Sequence, residues 1–315
     1  VPRAHILVLT GPTASGKTAV SIELAKKLNA EIVSADSIQV YRGLDIGSAK
    51  PTMEERQGIP HHMIDVADVS DPSFSVAEYK RQAEICIGEI AARGRLPLAV
   101  GGTGLYISAL TYPLQFTSVP GNPAVRKALQ EEDAQNPGAL YRRLQQADPV
   151  TAARLHPNDG KRIVRALEVY EVSGTPLSTH GADFQNAAGA EPPFDAALFG
   201  LTMDRARLYE RINRRVDAMM QNGLPEETKA LFDAGLSPAL PALQGLGYKQ
   251  LLRHFRGETT LCEAVEEIKR ETRRLSKRQL TWFKRDTRIR WLDSGCVDAE
   301  ALAKRIYEAY LQDKG

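Results

Sequence analysis

The sequence predicts an α/β protein with a P-loop-type parallel sheet core, a helical insertion domain and a basic helical C-terminal region. Three observations carry that expectation. Short apolar runs alternate with stretches of helical period. A glycine-rich loop, Gly11 to Thr18, stands directly between the first apolar run and the first helix. The alternation stops near Pro113 and resumes after Pro193.

Five runs read as buried parallel strands: His5–Thr10, Glu31–Ala35, Leu96–Val100, Ala196–Thr202 and Ile289–Leu292. Between them, Ala19, Ile22, Leu24, Ala25 and Leu28 trace one amphipathic helix, and Tyr79, Ala83, Ile87 and Ile90 another. Strands alternating with helices imply a twisted sheet covered on both faces. Residues 113–195 hold helix-like stretches and no convincing strand. They are entered through Pro113, Pro120 and Pro123 and left through a Gly/Ala/Pro-rich piece, Gly181 to Pro193. The expected core is therefore discontinuous, 1–112 with 196–315, and the insertion spans 113–195.

Composition bounds the class. Of 315 residues, 43% are hydrophobic and 25% charged, which supports an ordinary globular core. No run approaches the roughly 18 apolar residues of a membrane span, and His5–Thr10 is too short for a signal peptide. Cys86, Cys262 and Cys296 form neither a metal spacing nor a disulfide framework, so a reducing, cytoplasmic setting is expected. Net charge is only +2, yet Lys269 to Arg290 holds ten Lys/Arg against Glu271 and Asp286. Such a stripe is either a solvated helix face or a polyanion footprint.

Gly11-Pro12-Thr13-Ala14-Ser15-Gly16-Lys17-Thr18 fits G-x-x-x-x-G-K-[ST] in full. Glycines let the backbone wrap phosphate oxygens, and amides at the helix start converge on the anion. Lys17 adds positive charge, and the Thr18 hydroxyl is placed to ligate Mg²⁺. The motif specifies a di- or triphosphate without naming it. Nucleotide-using proteins of this type often end a later strand in a metal-holding Asp, whereas Leu96–Val100 runs into Gly101-Gly102-Thr103-Gly104. The first acid at a strand end is Asp36, the position that handles the acceptor in small-molecule kinases. Group transfer is the class this favours. Arg207, Arg211 and Arg215 share one helix face beside Leu208, Ile212, Val216 and Met219, aimed either at the loop or at surface acids.

Further residues bring a resemblance. Asp36-Ser37-Ile38-Gln39-Val40-Tyr41 and Asp45-Ile46-Gly47-Ser48-Ala49-Lys50-Pro51 resemble the bacterial tRNA dimethylallyltransferases (tRNA isopentenyltransferases). So do Gly101 to Tyr106, His156 to Asp159, Arg165 to Val169, Gly245 to Gln250 and Lys277 to Trp282. One departure is visible: Gly47-Ser48-Ala49-Lys50 stands where the family has Gly-Thr-Ala-Lys.

The resemblance implies that the loop, with Arg211, holds the diphosphate of dimethylallyl diphosphate, with Mg²⁺ at Thr18. It implies transfer of the dimethylallyl group to N6 of the adenosine 3′-adjacent to the anticodon of a tRNA stem-loop. Asp36 becomes the general base, although as Asp-Ser after a strand it reads equally as a helix cap. Thr103 and Arg215 join it as catalytic residues. The tRNA-binding set is Asp36, Ser37, Ile38, Gln39, Thr103 and Arg126; Lys161, Arg162, Ile163, Val164 and Arg165; Gln244, Gly245, Leu246, Gly247, Tyr248 and Lys249; and Lys277, Arg278, Gln279, Thr281, Trp282 and Arg285. Gln39 is expected to present a donor and an acceptor to a base edge. Phe283 is expected to pack as core, and His61 and His62 to cap a strand without a functional role. A monomer that does not engage membranes is expected. On the loop and Asp36 alone, a nucleotide-dependent small-molecule kinase and an ATP-binding RNA sensor stay open.

Overall fold

The structure is a computed structural model that describes residues 3–180 and 191–313. The connector expected over Gly181–Pro193 falls, up to residue 190, outside the described residues. In chain order, β1 (His5–Thr10) leads to α1 (Lys17–Leu28), β2 (Ala30–Ser34), α2 (Met53–Arg56), β3 (His61–His62), α3 (Val76–Ala92), β4 (Leu96–Gly101) and α4 (Gly104–Thr111). Four helices follow: α5 (Pro123–Gln135), α6 (Ala139–Ala147), α7 (Pro149–Ala152) and α8 (Gly160–Ser173). The chain then runs through β5 (Asp195–Thr202), α9 (Arg205–Gln221), α10 (Leu224–Asp233), α11 (Tyr248–Phe255), α12 (Leu261–Phe283), β6 (Arg290–Asp293) and α13 (Ala299–Gln312). Two compact units result, residues 1–111 with 192–315, and residues 112–191.

The first unit is built on one six-stranded sheet, ordered β3-β2-β4-β1-β5-β6, with every pairing parallel. Successive side chains of a strand point to opposite faces. Ile6 and Val8 accordingly enter one cluster with Val33, Ala99, Leu198 and the Tyr79–Ile87–Ile90 face of α3. Leu7 and Leu9 enter the other with Ile32, Leu98, Phe199, α1 and α13. Burial on both faces is why these strands read as unbroken apolar runs. Because all strands run the same way, their carboxyl ends share one edge, where ligands bind in open α/β sheets.

Local departures from expectation have local causes. In α1, Val20 takes the buried place that spacing assigned to Ala19, which is exposed. β6 starts one residue later than expected, with Phe199 paired to Arg290. His61 and His62 form a strand themselves, paired with Ile32 and Val33 at the sheet edge. Met63 and Asp65, both at positive φ (60° and 59°), stop it there. Neighbouring Glu31 is buried and accepts hydrogen bonds from His62 (2.6 Å) and Arg93 (2.7 Å).

The second unit packs Leu129 of α5, Leu140 and Leu144 of α6, and Ile163, Val164 and Leu167 of α8 into its own core. Glu168 lies fully buried in it. Its carboxylate accepts from the Asn122 amide (2.7 Å), Arg126 (3.0 Å) and Arg165 (2.7 Å). Burial alone would raise its pKa; the hydrogen bonds from Arg165, Arg126 and Asn122 outweigh that and hold it below the usual carboxylate value. A depressed carboxylate contributes stability above its unfolded pKa and loses it as pH falls through the folded one. Glu168→Gln should therefore cost about 3 kcal/mol at neutral pH. In urea titrations at pH 7 and pH 4, the variant should also lose less stability on acidification than the parent.

Candidate active site

The phosphate loop follows β1, the central strand. Gly11 takes φ 143°, and a Cβ there would stand 2.6 Å from the Leu201 carbonyl oxygen, so only glycine lets the loop pass β5. Gly16 (φ 92°) caps α1 with no side-chain bond, and the first turn of α1 contains no acid. The helix therefore begins with amide donors left for an anion. Ser15 is buried, its hydroxyl without a hydrogen-bond partner among the described residues, and Thr18 is exposed on the first turn.

Three cations surround this loop. Lys17 Nζ donates to the carbonyls of Gly11 (3.0 Å) and Pro12 (2.8 Å), closing the loop on itself. Arg211 Nε donates to the Ala14 carbonyl (3.0 Å). Arg215, one turn further along α9, is half-buried in the wall of the cavity beside the loop. Burial, then repulsion from Arg215, pulls the Lys17 ammonium down to about 7, with attraction to Asp36 opposing. Burial likewise pulls the Arg215 guanidinium below its ordinary value, again opposed by Asp36. Arg207, on the same face of α9, donates instead to Cys296 Sγ (3.2 Å), away from the loop.

Asp36 and Thr103 are brought together by a missing side chain. A Cβ on Gly101 would lie 2.1 Å from the Ala35 carbonyl oxygen, so glycine lets the ends of β2 and β4 meet. Thr103 N then donates to Ala35 O (3.2 Å), and Ser37 N donates to Thr103 Oγ1 (3.0 Å). Asp36 Oδ1 accepts from the amides of Ile38 (2.9 Å) and Gln39 (3.3 Å), making the turn that ends the strand. Asp36 caps no helix: one oxygen forms a turn, and the residue lines the cavity.

Helix α12 closes the arrangement. Gln279 accepts from Thr13 N (2.8 Å) and donates to Gly102 O (2.9 Å), tying the phosphate loop to the glycine turn. Trp282 fills the place a Cβ of Gly104 would occupy, 2.4 Å from its Cδ1. The cleft beside this helix is open to solvent and measures about 350 Å³. Its polar lining comes from Thr13, Asp36, Ser37, Thr103, Arg215, Arg278 and Gln279. Its apolar wall comes from Ile212, Val216, Met219, Leu224, Leu246, Ile268 and Leu275. Sequence reasoning missed this wall, because its stripes on α9 and α12 have the spacing of any buried helix face.

Several residues expected to meet RNA are engaged elsewhere. Ile163 and Val164 are buried in the core of the second unit, and Arg126 and Arg165 are ion-paired to Glu168. Tyr248 is fully buried. Gln39, expected to read a base edge, accepts from Ser34 Oγ (2.9 Å) and donates to the carbonyls of Ser48 (3.3 Å) and Ala49 (3.1 Å), so both ends of its amide serve the protein itself. Gln244 donates to Pro238 O (2.6 Å), and Gly245 sits against Ile38 and Tyr248. Leu246 and Gly247 line the cavity, while Lys249 lines a smaller one with Arg253 and Arg256. Lys161, Arg162, Lys277, Arg278, Thr281 and Arg285 are exposed, Arg162 beside Asp159 (3.2 Å). Phe283 is buried.

Residues 39–286 match the family described as IPP transferase. The chain belongs to that family. A tRNA dimethylallyltransferase of Pelotomaculum thermopropionicum is 48% identical to it over 302 residues, covering 96% of this chain and 95% of the relative. The protein so named from Bacillus subtilis is 47% identical, with the same coverage of 96% and 95%. Among solved structures, the tRNA isopentenylpyrophosphate transferase of Bacillus halodurans is similar at TM-score 0.73 and 40% identity, covering 98% of this chain and 96% of that one. A eukaryotic dimethylallyltransferase solved acting on tRNA gives TM-score 0.80 at 28% identity, covering 98% and 80%. Among the described residues no helix is long and apolar enough to cross a membrane.

The lowered Lys17 value has a measurable consequence. Near pH 8 the free ammonium has largely lost its proton, and an arriving anion restores it; at pH 6 the proton is already present. Calorimetry of diphosphate binding in two buffers of different ionisation enthalpy should report more proton uptake at pH 8 than at pH 6. Lys17→Met should abolish the part of that difference that the anion's own titration does not supply.

Proposed function

We propose that this chain transfers the dimethylallyl group of dimethylallyl diphosphate to N6 of the adenosine 3′-adjacent to a tRNA anticodon, giving N6-isopentenyladenosine and diphosphate. The observation that carries the reading is one cavity lined together by Thr13 of the phosphate loop, the cation Arg215, the Asp36 carboxylate and apolar side chains. Family membership and the tRNA named for its relatives support the acceptor. A nucleoside triphosphate would use the loop and leave the apolar wall without a role; a five-carbon chain uses both.

The amine attacks the allylic carbon, the carbon–oxygen bond breaks, and charge gathers on the bridging oxygen of the leaving diphosphate. Loop amides, Lys17, Arg211 and Arg215, the last two on α9, supply donors and positive charge for it; donors that meet that oxygen as its charge grows stabilise the transition state more than the ground state. The adenine amine is a weak nucleophile because its lone pair is shared with the ring. Asp36 hydrogen-bonds its N–H, orients it and takes the proton as the new bond forms. Thr103, already bonded to the Ser37 amide, fixes the same turn from the other side.

Mg²⁺ fits this site in a particular way. Among the described residues no cluster of His, Cys, Asp or Glu could hold a metal, but Thr18 offers a hydroxyl on the first turn of α1. An ion held mostly by diphosphate oxygens and water needs little more from the protein. Bound there, it would neutralise charge on the leaving group. On the RNA side, Lys277, Arg278, Lys284 and Arg285 on and just after α12 are exposed and form no ion pair among the described residues, which suits a phosphate backbone.

With unmodified tRNA, dimethylallyl diphosphate and Mg²⁺, mass spectrometry of digested tRNA should show isopentenyladenosine; ATP consumption in its place would support a kinase. Asp36→Asn keeps an oxygen for the Ile38 and Gln39 amides but cannot accept the proton. It should lower kcat about 10²–10⁴-fold while tRNA binding in filter assays stays near that of the parent. Lys17→Ala should instead raise the KM for the prenyl donor.

A further inference from the structure

We infer that Glu227 is a positioning residue for this reaction: from α10 its carboxylate sets the 45–49 loop, and through that loop the Asp36 turn, against the cavity. The inference rests on the prenyl-transfer reading and adds a residue outside the motifs that carry the resemblance.

Glu227 accepts four hydrogen bonds. Oε2 takes the amides of Asp45 (2.9 Å) and Ile46 (2.8 Å), and Oε1 takes the amide of Gly47 (3.1 Å) and the hydroxyl of Tyr248 (2.7 Å). Three successive backbone N–H groups converging on one anion form a nest, a geometry that fixes loop conformation as firmly as it binds ligands. Gly47, Ser48 and Ala49 then line the cavity. The Ser48 and Ala49 carbonyls hold the Gln39 amide, and Gln39 N donates to Asp36 Oδ1. A continuous series of bonds thus runs from Glu227 to the proposed base.

Two further contacts make the loop's place unique. The Tyr248 ring fills the space beside Gly47, where a Cβ would stand 2.6 Å from Cζ. Beyond the loop, buried Lys50 donates to the Tyr41 carbonyl (2.6 Å), Asp45 (2.7 Å) and Asp65 (2.5 Å). The phosphate loop is braced separately, by Gln279 and Arg211. Loss of Glu227 should therefore disturb the acceptor side of the cavity and spare the diphosphate side, a split that general destabilisation would not produce.

Glu227→Gln, Tyr248→Phe and Gly47→Ala separate the possibilities. Glutamine turns an amide group toward backbone donors, and kcat should fall about 10- to 100-fold, the scale of a small misplacement of reacting groups. Donor KM and the Kd for inorganic diphosphate should stay within about twofold of the parent, the pattern of a lost transition-state interaction. Gly47→Ala, which pushes the loop from the other side with Glu227 intact, should reproduce that pattern. Tyr248→Phe keeps the three amide bonds and should lose less. An unchanged kcat in Glu227→Gln, or diphosphate affinity falling in step with kcat, overturns the inference. If Glu227→Gln does not fold, the other two variants decide by the same criteria. A parent enzyme that moves no prenyl group would overturn the activity itself, a result visible before any variant is made.

Discussion

Positive charge held without a resident counter-ion is the constraint on which this site depends. Lys17, Arg211 and Arg215 converge on one short loop, and among the described residues none has a carboxylate within salt-bridge distance. Asp36 offsets the repulsion only at longer range. Such an arrangement is electrostatically unfavourable until an anion arrives, which supports the proposed diphosphate site. The sheet makes it possible: six parallel strands expose their carboxyl ends along one edge, and β1, β2, β4 and β5 each deliver part of the apparatus there.

Much of this was legible in the sequence, for reasons that differ by element. The strands were visible because they are buried on both faces, and the phosphate loop because its spacing has few other uses. Asp36 was visible as the first acid at a strand end. β3 was not, since two histidines on a sheet edge carry no apolar signature. The apolar wall was hidden in plain helical spacing: Ile212 and Val216 look the same whether they face a core or a ligand. The internal bonds of Gln39 were not visible, because a side chain able to bridge donor and acceptor can do so within its own fold, and here it does.

The basic residues divide the same way. Charge counting along Lys269 to Arg290 treats every cation alike, but Lys269 is paired with Asp217 (2.8 Å) and Arg274 with Glu271 (2.6 Å), while Lys277, Arg278, Lys284 and Arg285 have no ion pair among the described residues. In the second unit, Arg126 and Arg165 neutralise a buried carboxylate that would otherwise be too costly to enclose. Sequence shows where charge lies; only the fold shows which of it is already satisfied.

Trp282 in the hollow of Gly104, and Gln279 spanning Thr13 and Gly102, give α12 a mechanical meaning. One helix is stitched to both glycine-bearing turns at the carboxyl edge of the sheet. Neither turn can shift alone without tearing a contact to that helix, so the phosphate loop and the glycine turn beside Asp36 are geared to a single rod that also carries exposed cations.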